Sequence, residues 1–125
     1  MHSKSHSPGF LVLVNEAKAQ IKQVDIEQYK DMLASGQPHR LIDVREDSEW
    51  NSGHAAGATH LGKGIIERDI EKVVPDKGET LVLYCGGGYR SALAADALRR
   101  MGYENAISLD GGWGAIQAAG LPLES

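Results

Sequence analysis

Cys85 is the chain's single cysteine, and the stretch TLVLY-CGGGYR-SALAADALRR sets it between an apolar run and a series of strong helix formers, with three glycines directly after it. Glycines accept positive φ and turn backbone N–H groups inward, which makes an anion-binding nest. A helix starting just beyond adds the positive end of its dipole. Arg90, five residues on, supplies a fixed positive charge. A cysteine in such a cradle ionises below the free-thiol value of about 8.5 and is a nucleophile at neutral pH. A lone cysteine often serves only as a small buried hydrophobe. That alternative does not account for Gly86, Gly87 and Gly88, since each glycine in regular structure costs about 1 kcal/mol relative to alanine and needs a conformational reason.

The spacing narrows the chemistry. A loop that wraps a tetrahedral phosphate around a cysteine typically follows the pattern Cys-x5-Arg, whereas four residues separate Cys85 from Arg90 here and the sixth position is Ser91. The ring is one residue short for phosphate. A smaller nest suits a single added sulfur atom held on the cysteine as a persulfide anion, which points to sulfur transfer. Tyr89 either shapes the pocket wall or anchors the loop by packing. Trp113 is expected in the core. Asp43, Arg45, Glu46 and Glu49 crowd the end of LIDV, where a carboxylate beside an arginine is more often an architectural pair than an acid/base dyad. Arg68 is expected on a solvated helix face. The histidines His2, His6, His39, His54 and His60 show no metal-ligand spacing, and His54 and His60 are read as loop packing.

Elements must hold this loop in place, and their alternation is legible. The chain has 125 residues, the size of one domain. Residues 1–9 are polar and read as a flexible tail. Phe10, Leu13, Val14, Ala17 and Ile21 fall on one helical face, so a docking helix is expected over 10–20. Asp25 and Gln28 form a capping-box pattern ahead of a helix that Gly36 and Pro38 close. Leu41 to Val44 reads as a strand, Glu46 to Asn51 as a helical turn, Ala58 to Leu61 as a short strand and Ile65 to Val74 as a helix. Thr80 to Tyr84 has the continuous hydrophobicity of a parallel strand buried on both faces. Ser91 to Met101 is a helix with an apolar face of Leu93, Ala94, Ala97, Leu98 and Met101, followed by a strand over Ala106 to Leu109 and a last helix stopped by Gly120 and Pro122. This alternation predicts an α/β sandwich around a mostly parallel sheet, with the site at the carboxyl ends of the strands, where Cys85 lies.

Composition removes several function classes. Thirteen Lys and Arg against seventeen Asp and Glu give a net charge of −4, so no broad positive field gathers nucleic acid. No apolar run exceeds the five residues of Phe10 to Val14, too short to span a membrane. One cysteine excludes an internal disulfide and a multi-cysteine zinc site, and a cytoplasmic setting is expected. The 15 glycines, about 12% of the chain against a usual ~7%, cluster in corners between elements.

LIDVRE (Leu41 to Glu46), EWNSGHAAGATHL (Glu49 to Leu61), LVLYCGGGYRSALAADAL (Leu81 to Leu98), ISLDGGW (Ile107 to Trp113) and GLP (Gly120 to Pro122), in this order and spacing, resemble a single-domain rhodanese of the sulfurtransferase superfamily. The likeness runs from about Ile21 to the end, so residues 21–125 are read as a rhodanese-like domain. It implies a three-layer sandwich, with a five-stranded mostly parallel sheet and helices on both faces. Cys85 would be the catalytic residue, with Gly86, Gly87, Gly88, Tyr89 and Arg90 binding substrate. Asp43 and Arg45 would tie neighbouring loops together, and Ser91, just after the six-residue loop Cys85 to Arg90, would be a supporting residue. The implied reaction is a double displacement, in which Cys85 takes the sulfane sulfur of a donor such as thiosulfate and passes it to cyanide or another thiophilic acceptor, with no cofactor and no metal. The position after the cysteine, often basic in good thiosulfate users, is Gly86 here, so affinity for that donor is expected to be weak. Ala55-Ala56 replaces a common Ile-Pro, a matter of packing. The partners implied are a small-molecule donor and acceptor, without nucleic acid or membrane. A persulfide carrier or regulatory binding module on the same fold is the alternative, and a small cysteine phosphatase or arsenate reductase is disfavoured by the short loop.

Overall fold

A computed structural model of the chain describes residues 6–125. Helix α1 (Pro8–Lys18) leads to strand β1 (Lys22–Val24), α2 (Ile26–Ser35), β2 (Arg40–Asp43), α3 (Asp47–Asn51) and the two-residue strands β3 (His54–Ala55) and β4 (Thr59–His60). Then come α4 (Ile66–Val73), β5 (Leu81–Tyr84), α5 (Tyr89–Arg100), β6 (Ala106–Leu109), α6 (Gly112–Ala118) and β7 (Leu123–Glu124). Five strands form one sheet in the order β1-β6-β5-β2-β4, and every pairing in it is parallel. This is the expected sandwich. A second, antiparallel pair of β3 with β7 was not expected from the sequence.

The core follows from period-two alternation along β5. Leu81, Leu83 and Cys85 turn to the face covered by α4 and α5, while Val82 and Tyr84 turn to the face covered by α2 and α6. Cys85 therefore leaves the sheet already aimed at the start of α5. Burial on both faces accounts for the unbroken apolar run. Helix α5 is buried at Ala92, Ala94, Ala95 and Leu98, more than one stripe, because α1 packs Val14 and Ala17 against the outer side of this region. Alanine's small side chain permits that close approach on two sides.

The boundaries shift in places. The docking helix starts at Pro8, which occupies its first turn, and ends at Lys18. Pro8 and Gly9 are thus helical and not tail, Met1 to Ser5 lie outside the described residues, and Ile21 packs on the core from beyond the helix. Leu13, expected on the buried stripe, is 56% exposed. At α2 the capping box forms as read: the Gln28 amide donates to Asp25 Oδ1 and the Asp25 amide to Gln28 Oε1, each at 2.8 Å.

Candidate active site

Strand β5 and helix α5 position the cysteine loop between them. Cys85 is 1% exposed, yet its sulfur is not surrounded by hydrocarbon alone. The amide of Gly88 donates to Sγ at 3.2 Å and the amide of Ser91 at 3.3 Å. A helix start leaves its first amides without acceptors, and α5 has no side-chain cap of its own. The sulfur of Cys85 fills that role from six residues before Ser91. Among the described residues, the amides of Gly86, Gly87, Tyr89 and Arg90 donate to no protein group.

The glycines divide their work. Only Gly88 has positive φ, at 99°; Gly86 and Gly87 do not, contrary to the expectation for all three. A Cβ at Gly88 would also press on Asp110 and the Gly111 amide. A Cβ at Gly86 would meet Arg90 Nη2 at 3.2 Å, so the bare position makes room for the guanidinium. The turn from β6 to α6 clamps the loop from beneath. The Trp113 amide donates to the Cys85 carbonyl at 2.7 Å and the Gly114 amide to the Gly86 carbonyl at 3.4 Å. Across a trans peptide the N–H opposes the C=O, so the amides of Gly86 and Gly87 face away from α6. Gly112 allows this approach, because a Cβ there would collide with the Cys85 carbonyl oxygen.

A hydroxyl pair extends inward from the sulfur. The Cys85 thiol lies 3.5 Å from Ser91 Oγ, which in turn lies 2.8 Å from Ser108 Oγ on β6, and both serines are buried. Ser108 escaped the sequence reading. Its signal was a hydroxyl inside AISL, a strand buried at every position, where a polar group needs a partner.

Above the loop is a cavity of about 660 Å³. Cys85, Gly86 and Gly87 line it on the loop side, with Tyr89, Arg90 and Glu49 around them. His6 and Phe10, from the amino-terminal segment, complete the lining. Arg90 is not a free cation: Nη1 donates to Glu49 Oε1 at 2.8 Å and Nη2 to Oε2 at 3.2 Å. The Glu49 carboxyl is lowered from the usual 4.5 to about 2, first by its hydrogen bond from Arg90 and then, against the opposing effect of burial, by the Glu46 amide. The guanidinium is held in its charged form by Glu49 and by the neighbouring Cys85. Glu49 was read as part of a structural cluster; its pairing with a residue 41 positions away is the long-range contact that local spacing does not reveal.

The remaining charges are architectural. Asp43 and Arg45 are both buried and pair at 2.8 to 3.1 Å, while Arg45 Nη2 also donates to the Gly53 carbonyl at 2.7 Å. The Arg45 guanidinium lies 4.4 Å from the Trp113 ring centroid. Strand β2, the loop after α3 and the start of α6 are thus bound together, and α3 presents Glu49. Arg68 is 72% exposed, pairs with Asp69 and is not among the residues that line the cavity. His54 stacks on Trp50 at 3.4 Å and His60 at 4.9 Å, as loop packing. Among the described residues no three metal-ligating side chains cluster, and no helix is long and apolar enough to cross a membrane.

Comparison with known proteins agrees with this geometry. The family described as Rhodanese-like domain matches residues 25–119. The chain is 39% identical over 87 residues to a "Probable adenylyltransferase/sulfurtransferase MoeZ" of Mycobacterium tuberculosis, covering 68% of this chain but only 22% of that relative. It is 30% identical over 102 residues to the thiosulfate sulfurtransferase GlpE of Vibrio cholerae, covering 82% of this chain and 93% of GlpE. A solved protein of unknown function from Rhodopseudomonas palustris, described as a "Possible Tyrosine Phosphatase", superposes with a TM-score of 0.85 at 26% identity, covering 99% of this chain and 100% of that one. With its parallel sheet, its cysteine loop at a strand's carboxyl end and relatives of the sulfurtransferase type, the chain belongs to the rhodanese-like domain family.

Proposed function

We propose that this protein is a sulfurtransferase that carries a sulfane sulfur on Cys85 as a persulfide, from a small-molecule donor to a thiophilic acceptor. The observation that carries the reading is the convergence of the Gly88 and Ser91 amides on Sγ at the base of the cavity. The Cys85 thiolate attacks the outer sulfur of the donor. The Sγ–S bond forms as the bond joining that sulfur to the rest of the donor breaks, and the leaving group keeps the electron pair; from thiosulfate, sulfite departs. Cyanide or a thiolate then attacks the terminal sulfur, and the Sγ–S bond breaks to restore the Cys85 thiolate. Neither half needs an outside oxidant or reductant, since each incoming nucleophile supplies the electron pair that the departing one carries away.

Each residue of the loop has a place in this scheme. The amides of Gly86, Gly87, Tyr89 and Arg90 are available to the outer sulfur and to the leaving anion, in the manner of an oxyanion hole. Gly88 and Ser91 serve the inner sulfur. Arg90 orients an anionic donor, and Asp43 and Arg45 hold the surrounding loops in register. A cytoplasmic, reducing setting suits a single unpaired cysteine.

The test is intact-mass spectrometry of the full chain after incubation with thiosulfate at millimolar concentration. One added sulfur atom, removed by cyanide and absent in Cys85→Ala, is the expected result. An unmodified wild-type protein with every sulfane donor tried would sink the proposal. Hydrolysis of an aryl phosphate dependent on Cys85 would favour a phosphatase; the loop from Cys85 to Arg90 speaks against it, being one residue short of the phosphate-wrapping length.

A further inference from the structure

The cavity over Cys85 has a composition that thiosulfate does not match. Its one arginine is already doubly hydrogen-bonded to a carboxylate, so a dianion entering there meets Glu49 as well as Arg90. Among the described residues, the side chains that line the cavity beyond Cys85, Glu49 and Arg90 are the aromatic rings of His6, Phe10 and Tyr89. The His6 ring lies 4.3 Å from that of Tyr89 and 5.5 Å from that of Phe10, and Phe10 lies 6.4 Å from Tyr89, so three rings gather where the amino-terminal segment meets the start of α5. Lys18 has its Nζ 5.0 Å from the Tyr89 ring centroid and is not among the residues that line the cavity. At about 660 Å³ the space is that of a site for an organic molecule, far larger than a few-atom anion requires.

Resting on the sulfur-transfer reading above, we infer that the donors this site prefers carry the sulfane sulfur on a hydrophobic group with at most one negative charge, as organic persulfides and aryl thiosulfonates do, and that Phe10 and His6 form the subsite for that group. The chemistry balances without any further reactant. With an organic persulfide, the Cys85 thiolate attacks the terminal sulfur of R–S–SH, the S–S bond of the donor breaks, and R–S⁻ leaves with the electron pair while the transferred sulfur keeps its hydrogen. With an aryl thiosulfonate the leaving group is the arylsulfinate. The ring packs against Phe10 while the charged end faces the loop amides, and Glu49, by occupying Arg90, disfavours a second charge on the donor.

Benzenethiosulfonate and thiosulfate form a suitable pair of probes, because one has a ring and one charge where the other has no ring and two charges. The full chain is assayed with each donor and cyanide as acceptor, and kcat/KM is compared as a ratio. The ratio should favour benzenethiosulfonate in the wild-type protein and fall about fivefold in Phe10→Ala, through KM for the ring-bearing donor. Phe10→Leu, which keeps apolar packing on α1, should lower it in the same direction. Glu49→Gln should lower the ratio from the other side, by raising thiosulfate use about threefold. If both donors load Cys85 but the ratio is unmoved by the Phe10 variants, the subsite is wrong and sulfur transfer stands. If neither donor loads Cys85, the sulfur-transfer reading itself fails.

Discussion

The backbone amide of Trp113 is hydrogen-bonded to the carbonyl of Cys85 at 2.7 Å, so the α6 turn, 28 residues further along the chain, determines which way the cysteine loop faces. Gly112 is what permits this contact. In Gly112→Ala the new methyl meets the Cys85 carbonyl oxygen at a backbone φ of 48°, which must push the loop away from α6. The expected cost is about 1–3 kcal/mol of stability with sulfur loading of Cys85 reduced tenfold or more. Urea unfolding and intact mass measure the two effects, and a variant of wild-type stability and loading would contradict the clamp.

Ser108 gives a second expectation. Ser108→Ala removes one partner of the Ser91 hydroxyl inside the core, which should cost about 0.5–1.5 kcal/mol, the net worth of a single hydrogen bond. Alkylation of Cys85 by iodoacetamide should change rate as well, because the Ser91 hydroxyl becomes free to turn entirely toward the sulfur. A stability loss with unaltered alkylation would confine Ser108 to packing.

The Asp43–Arg45 pair is fully enclosed. Asp43→Ala leaves the Arg45 guanidinium buried without its carboxylate, and the expected destabilisation is about 3–5 kcal/mol. The double variant Asp43→Ala/Arg45→Met should recover part of it, since two neutral groups avoid the stranded charge. Denaturant midpoints decide the matter, and additive losses in the double variant would argue against direct coupling.

Acid should release the pair at the cavity rim. The Glu49 carboxyl is lowered from 4.5 to about 2, chiefly by its hydrogen bond with Arg90. A carboxyl depressed on folding stabilises the folded state above its unfolded value and loses that contribution as pH falls through the folded one. The stability that the Glu49–Arg90 contact contributes is therefore complete above pH 4.5 and lost as the pH falls to about 2, where the contact itself breaks. Its side chains are 32% and 36% exposed, so the stability at stake is under about 1 kcal/mol. Carboxyl-carbon NMR titration reads it directly: Arg90→Ala should return the Glu49 midpoint toward 4.5, and an unchanged midpoint would assign the depression to another cause.

Much of this architecture was legible because its signals are local. Leu81 to Tyr84 shows a doubly buried strand in four consecutive apolar residues, and Asp25 with Gln28 announces a helix start three residues apart. Cys85 and its glycines stood out for the same reason. Strand β1 did not, because Lys22, Gln23 and Val24 form a three-residue edge with no inward-outward alternation to detect. The β3–β7 pair joins His54 to Glu124 across most of the domain, a register that no window of sequence contains. The same limit applied to the site. Glu49 on α3, Ser108 on β6, and Phe10 with His6 from the amino-terminal segment reach the cysteine loop from three separate parts of the chain, and only folding brings them together.

The depth of Cys85 has a further result. With 1% of its surface open to water, the idle sulfur is shielded from bulky oxidants and from casual exchange with bulky disulfides. On the proposed chemistry, cargo bound one S–S bond beyond Sγ becomes the first atom that an incoming partner encounters. Enclosure by the loop thus discriminates between vacant and charged protein, protecting the former and presenting the latter.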